Sequence, residues 1–152
     1  MSEIKLGKQE LIHFVGIGGI GMSGLAQIMK TMGFKVQGSD VSKNKNTENC
    51  KKLGIRILIG HKKKNINKVT IVVKSSAIKP NNIELLEARK KTIPTFDRIE
   101  MLANIIDLKK NIIITGSHGK TTTTSLVAKI ISTARLDPTI INGCLLYTSD
   151  AA

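Results

Sequence analysis

The sequence predicts an α/β fold, a parallel sheet covered by helices on both faces. Two observations lead there. Short apolar runs of strand length alternate with longer amphipathic stripes along most of the chain, the β-α-β-α order that parallel sheets require. Two of the runs also end in glycine-bounded turns that lead straight into helical stripes, at Gly16–Gly21 and Gly116–Gly119.

The first run, Leu11–Val15, has a buried-strand pattern and ends in glycines. From Ile20 the spacing changes: Met22, Leu25, Met29 and Met32 recur at helical intervals, and Gly33 supplies a C-cap signal. Those methionines read as core packing. Phe34–Gln37 is predicted as the second strand, Thr47–Leu53 as a helix stopped by Gly54, Ile55–Ile59 as the third strand and Val69–Val73 as the fourth. Pro80-Asn81-Asn82 opens a helix that runs through Lys91. Ile93–Thr95 is a short strand, and Asp97–Ile106 a further helix.

After a polar connection at Leu108-Lys109-Lys110-Asn111, the cycle restarts. Ile112–Thr115 reads as a buried strand, Lys120–Thr133 as a helix, Asp137-Pro138 as a turn and Thr139–Ile141 as the start of another strand. A first domain is therefore expected over residues 1–107. A second unit starts at 108 and has no room to finish, so 108–143 is expected to be its truncated beginning.

Composition narrows the function classes. Hydrophobic residues make up 41% of 152 residues, enough for a core rather than wholesale disorder. No apolar run approaches the ~18–20 residues that span a bilayer, so no membrane partner is expected. The opening MSEIKLGKQE lacks the apolar core of a secretory signal, which points to the cytoplasm. Cys50 and Cys144 stand far apart, without metal-ligand spacing, and are expected as reduced thiols.

The formal charge of +13 invites a nucleic-acid reading. The charge is nearly all lysine, however. The arginines are Arg56, Arg89, Arg98 and Arg135, the lysines are dispersed apart from Lys62–Lys64, and aromatics for base stacking amount to 3%. A solvated lysine-rich surface is the expectation, with no nucleic-acid partner.

The first loop, Gly16-Ile17-Gly18-Gly19-Ile20-Gly21, satisfies G-x-G-x-x-G between a strand and a helix, the Rossmann-like frame. Glycines there permit unusual backbone angles and let a diphosphate approach the main chain, while the helix N-terminus offers unpaired N–H groups. Asp40, 19 residues past Gly21, either accepts hydrogen bonds from a ribose or is a solvated turn residue. The pattern alone does not separate the diphosphate of NAD(P) in an oxidoreductase from that of a nucleotide sugar.

The second loop, Gly116-Ser117-His118-Gly119-Lys120-Thr121-Thr122, carries the G-K-T ending of a P-loop but has two residues between its glycines where four are usual. Backbone N–H groups still can cradle phosphates, Lys120 can reach the β- and γ-phosphates as the catalytic cation, and the Thr121 hydroxyl can ligate Mg²⁺. ATP binding is expected. His118 either shapes the loop, meets phosphate or is simply exposed, and Thr123, Thr124 and Ser125 read as helix-face residues.

Taken together, the segments resemble the Mur ligase family. The resemblance rests on His13–Ala26 with its glycine loop, Gly38-Ser39-Asp40, Ile59-Gly60-His61, Ser75-Ser76-Ala77-Ile78, Arg98–Leu102 and Gly116–Thr124, all in the family's order. Ser117 stands where the family usually has Thr. The resemblance covers roughly residues 10–143, and the first glycine segment decides the branch, the one that joins L-alanine to UDP-N-acetylmuramic acid.

The resemblance implies that Gly16–Gly21 hold the UDP diphosphate, with Asp40 and His61 near the uridine and Ser75 and Ser76 lining the same cleft. Ser75-Ser76 capping a strand end and His61 closing a turn are the plain alternatives. Arg98 and Glu100 are read as structural. It also implies ATP and Mg²⁺, and amide formation through an acyl phosphate. The match fails after Gly143, so residues 144–152 are a tail unlike the family, and the chain alone is expected to be an inactive fragment.

Overall fold

The computed structural model describes residues 6–108, 110–142 and 145–147. Five parallel strands form one sheet: β1 (Leu11–Val15), β2 (Lys35–Asp40), β3 (Arg56–Ile59), β4 (Ile71–Lys74) and β5 (Thr95–Asp97). Their order is β3-β2-β1-β4-β5. The chain winds outward from β1 to β3, then returns to the other side of β1 for β4 and β5. The β1/β4 boundary is thus the switch point beyond whose carboxyl ends open α/β sheets bind ligands.

Alternation along the strands builds two apolar layers. Ile12, Phe14, Val36, Ile71 and Val73 face α1 (Ile20–Thr31), α2 (Lys45–Lys52) and α4 (Arg98–Ile106). Their partners include Leu25, Met29, Cys50, Met101 and Ile105. On the opposite face, Val15 and Val72 pack with Ile66 of a 3₁₀ turn (Lys63–Ile66) and with Leu85 and Ala88 of α3 (Ile83–Lys90). The parallel, doubly covered sheet is the one the sequence predicts.

Caps set the boundaries. The Asn44 side chain accepts the Thr47 N–H at 2.9 Å and starts α2 ahead of its expected position. Asn82 Oδ1 accepts the Glu84 N–H at 2.9 Å, so α3 begins at Ile83 rather than at Pro80. Asp97 precedes α4, and its N–H donates to Glu100 Oε2 at 2.7 Å, the structural role expected of Glu100. Cys50 is a free, buried thiol; burial pushes it up to about 11 against a hydrogen bond from Gln27. Cys144 lies outside the described residues.

The second unit differs from expectation at its first strand. Ile112–Thr115 is irregular, with Ile112 66% and Ile113 71% exposed. A strand exists by pairing, and among the described residues no strand pairs with this run. Helix α5 (Lys120–Thr133) forms where the sequence places it. Ile140–Asn142 (β6) pairs antiparallel with Leu145–Tyr147 (β7), within the stretch expected to be an unmatched tail. A groove of about 760 Å³ separates α5 from the edge of α1 and α4, lined by Ile113, Val127, Ile131 and Leu102 among others. Among the described residues, no helix is long and apolar enough to cross a membrane.

Candidate functional site

The residues expected around the first loop gather at the carboxyl ends of β1, β2, β3 and β4. Gly16 turns the chain out of β1 with φ +83°. A Cβ there would lie 3.2 Å from Ser75 Cβ, so the start of the loop sits against the segment after β4. Ser75 is half-buried and its N–H donates to the Val15 carbonyl at 3.1 Å, while Ser76 is exposed. The Ser75 hydroxyl accepts the Ala77 N–H at 3.3 Å, which caps the turn beyond β4.

The loop's first amides are committed internally. Gly16 and Ile17 N–H both donate to the Ser39 carbonyl, at 2.9 and 3.0 Å, and Gly19 N–H donates to the Gly16 carbonyl at 3.3 Å. Gly18 N–H donates to Asp40 Oδ2 at 2.8 Å. The Gly18 carbonyl accepts from Asn46 at 2.8 Å and from Asn44 at 3.2 Å. A Cβ at Gly18 would lie 2.7 Å from Asn44 Nδ2 and 2.8 Å from Asp40 Oδ2, so this glycine is required by the close approach of two side chains.

Anion-binding capacity therefore moves to the first turn of α1. Gly19 is the N-cap, with no side-chain cap, and the helix's i to i−4 ladder starts with Ser23 N–H to the Gly19 carbonyl at 2.8 Å. The N–H groups of Ile20, Gly21 and Met22 precede that ladder, at the positive end of a 12-residue helix. Arg98 packs against Gly21: a Cβ there would meet Arg98 Cδ at 3.0 Å.

Beneath the loop lies a buried polar cluster that the sequence reading passed over. Glu84, fully buried, accepts from Ser39 Oγ at 2.6 Å and from Asn65 Nδ2 at 2.5 Å. His61 Nδ1 lies 3.0 Å and His13 Nε2 3.4 Å from its Oε2. Gln37 Nε2 reaches His13 Nδ1 at 3.2 Å and the Asn65 carbonyl at 2.9 Å.

No buried side-chain nitrogen or oxygen is left without a partner among the described residues. Burial alone would raise the Glu84 carboxyl. Hydrogen bonds from His13, Ser39 and Asn65 outweigh it and hold the group at about 2. A signal did exist: His13 interrupts the apolar run Leu11–Val15, and Gln37 and Ser39 of β2 share its face in register.

The second loop stands apart on the run between α4 and α5. Gly116 and Gly119 take positive φ, +156° and +75°. Lys120 Nζ donates to the carbonyls of Gly116 (2.5 Å) and Ser117 (3.3 Å), closing the loop on itself. Ser117, His118 and Thr122 are exposed. Thr121 Oγ1 lies 3.5 Å from Asn142 Oδ1. Thr124 and Ser125 donate to the carbonyls of Lys120 and Thr121, as helix-face residues do. Among the described residues no cluster of three or more His, Cys, Asp or Glu could hold a metal.

The model of the Mur ligase family, catalytic domain, matches residues 11–110. A UDP-N-acetylmuramate–L-alanine ligase of Pelagibacter ubique is 68% identical over 144 residues, 95% of this chain and 31% of that protein. The enzyme of the same name from Aquifex aeolicus is 55% identical over 131 residues, 86% of this chain and 29% of that protein. The chain thus spans about a third of the length of the curated relatives it matches. The crystal structure of UDP-N-acetylmuramate-alanine ligase from Thermotoga maritima superposes with a TM-score of 0.74 at 36% identity, covering 87% of this chain and 31% of that one. With the family model matching most of its residues, and the glycine loop, sheet order and relatives agreeing, the chain belongs to the Mur ligase family.

Proposed function

We propose that the chain is part of an ATP-dependent ligase that joins L-alanine to UDP-N-acetylmuramic acid, a step of peptidoglycan precursor synthesis in the cytoplasm. Residues 1–107 are the UDP-sugar-binding domain, 108–143 begin the ATP-binding domain, and 144–152 depart from the family. The observation that carries the reading is the first loop. Its glycine turn and Ser75 meet at the switch point, Asp40 and His61 lie at the carboxyl ends of β2 and β3 beside it, and the N-terminus of α1 follows the turn.

In this reading the diphosphate lies on the first-turn amides of α1, those of Ile20 and Gly21. Gly16, Ile17, Gly18 and Gly19 shape the turn rather than bind through their own N–H groups. Asp40 holds Gly18 and keeps lone pairs for a ribose hydroxyl. His61 and Ser75 border the same cleft, with Ser76 at its exposed rim.

The reaction is amide formation. A carboxylate is a poor acyl donor, so its oxygen first takes the γ-phosphoryl group of ATP, releasing ADP. The amine of L-alanine then attacks the acyl carbon and phosphate leaves. The residues present fit a triphosphate: two positive-φ glycines open the backbone, and Lys120 can exchange the carbonyls of Gly116 and Ser117 for phosphate oxygens. Ser117, His118 and Thr122 complete the loop, and Thr121 offers Mg²⁺ its hydroxyl. The cation, when bound, neutralises charge on the transferring group.

The test is calorimetric titration of the chain with UDP-N-acetylmuramic acid, NADH and a duplex oligonucleotide at two salt concentrations. Saturable binding of the UDP sugar, without NADH binding, is expected. NADH binding in its place overturns the reading in favour of an oxidoreductase. Tight, steeply salt-dependent duplex binding overturns it in favour of a nucleic-acid protein.

A further inference from the structure

We propose that Glu84 is a positioning residue that makes His61 a hydrogen-bond acceptor at the cleft, so that the ligand group His61 recognises is a donor, a uracil imide N–H or a ribose hydroxyl, and not a phosphate. The proposal rests on the UDP-sugar reading above.

Glu84 is fully buried and its carboxylate, held ionised, can only accept. Oε1 takes Asn65 Nδ2 at 2.5 Å and Lys62 N–H at 3.3 Å. Oε2 takes the Ser39 hydroxyl at 2.6 Å and faces His61 Nδ1 at 3.0 Å. An acceptor facing a ring nitrogen requires that nitrogen to carry its hydrogen, so neutral His61 is the Nδ1–H form and Nε2 bears the lone pair.

His13 completes the arrangement from the other side. Gln37 Nε2 is an amide donor 3.2 Å from His13 Nδ1, so His13 accepts there and presents Nε2–H to Glu84 and to Ser39. These contacts leave no buried side-chain nitrogen or oxygen unpartnered among the described residues. His61 Nε2, by contrast, has no hydrogen-bond partner among the described residues, and the side chain keeps 14% of its surface exposed. His61 follows β3 at the carboxyl end of the sheet, beside the loop that Asp40 and Gly18 close. The same logic governs metal-ligating histidines, in which a carboxylate behind the ring fixes the tautomer in front.

The experiment combines two measurements on the wild-type chain with one variant. Nitrogen NMR of labelled histidine reads the His61 tautomer directly, and the account requires protonated Nδ1 and unprotonated Nε2. Titration with UDP, its 3-methyluracil analogue and the analogues lacking the 2′- or the 3′-hydroxyl identifies the donor. The analogue missing the recognised hydrogen binds about tenfold more weakly.

The Glu84→Gln variant, with its fold checked by circular dichroism, is expected to mix the two His61 tautomers and to weaken UDP by a similar factor. A protonated Nε2 in the wild type overturns the proposal whether or not the variant folds. UDP binding with no analogue impaired overturns it too, leaving the UDP-sugar reading intact. Failure of UDP itself to bind, with the expected tautomer present, overturns that reading and the ligand half of the proposal with it.

Discussion

Gly38 sits opposite Phe14 in the β1–β2 register, beneath Ile17 of the glycine loop. A Cβ at this position would lie 2.5 Å from Ile17 Cδ1, 2.7 Å from Ile17 Cβ and 2.9 Å from the Phe14 carbonyl oxygen. The first contact is with the end of a side chain and could be relieved by rotation. The other two are with the root of that side chain and with a central strand's backbone, so relief requires the loop to lift off β2. Overpacking of this kind costs about 1–3 kcal/mol, and the two fixed contacts put Gly38→Ala near the upper end.

The chain has no Trp, so urea unfolding is followed by far-UV circular dichroism. With a denaturant slope of roughly 2 kcal/mol/M for a small domain, the midpoint should fall by about 1.5 M. Adding Ile17→Val removes the terminal methyl that makes the shortest contact and should recover about 0.5 kcal/mol or more. A Gly38→Ala midpoint within 0.2 M of wild type would show that Ile17 does not seat the loop on β2, and the argument for how the loop is held would fail.

Other expectations concern the buried cluster, the close glycine contact and the second loop. The Glu84 carboxyl lies lower in the folded chain than its ordinary 4.5, so the unfolded state binds more protons in acid. Its stabilisation is complete above about 4.5 and is lost as pH falls towards 2. The drop corresponds to roughly 3 kcal/mol, and urea midpoints across that range should flatten in Glu84→Gln. Asn82→Ala removes the cap on the Glu84 N–H and should cost about 1 kcal/mol by the same assay, whereas no loss would mean α3 is held by its apolar face alone. Gly18→Ala forces Asp40 and Asn44 apart and should weaken UDP binding at least tenfold in calorimetry; unchanged affinity would remove Asp40 from the site. The 152-residue polypeptide should release no ADP in response to L-alanine, and measurable release by the purified chain would contradict its reading as an inactive fragment.

The order of elements was legible because strand and helix periods differ sharply here, and because the glycine turns mark where one gives way to the other. Helix α5 begins at Lys120 as expected, since the P-loop ending fixes a helix start. Boundaries slipped where a cap rather than an apolar residue decides, at Asn44 and Asn82, and where strand pairing decides, as β5 pairs with β4 over Thr95–Asp97 rather than Ile93–Thr95. Ile112–Thr115 failed as a strand because local pattern supplies apolar residues and not the neighbour that pairs with them.

The polar cluster was hidden for a related reason. Glu84 looks like any acidic residue in a first helical turn, and its partners His13, Ser39 and His61 lie 71, 45 and 23 residues away in sequence. Only the fold brings them together. The glycine loop itself was read correctly as a turn, but which of its amides remain for a ligand depends on Ser39 and Asp40, which the pattern does not report.

Amide NMR of the labelled chain titrated with UDP-N-acetylmuramic acid tests the central claim most directly, because it reports the bound residues one at a time. The largest saturable shifts are expected at Ile20, Gly21 and Met22, with smaller ones near Asp40, His61 and Ser75. Shifts confined to Gly116–Thr122, or an unchanged first loop at saturating ligand, would contradict it.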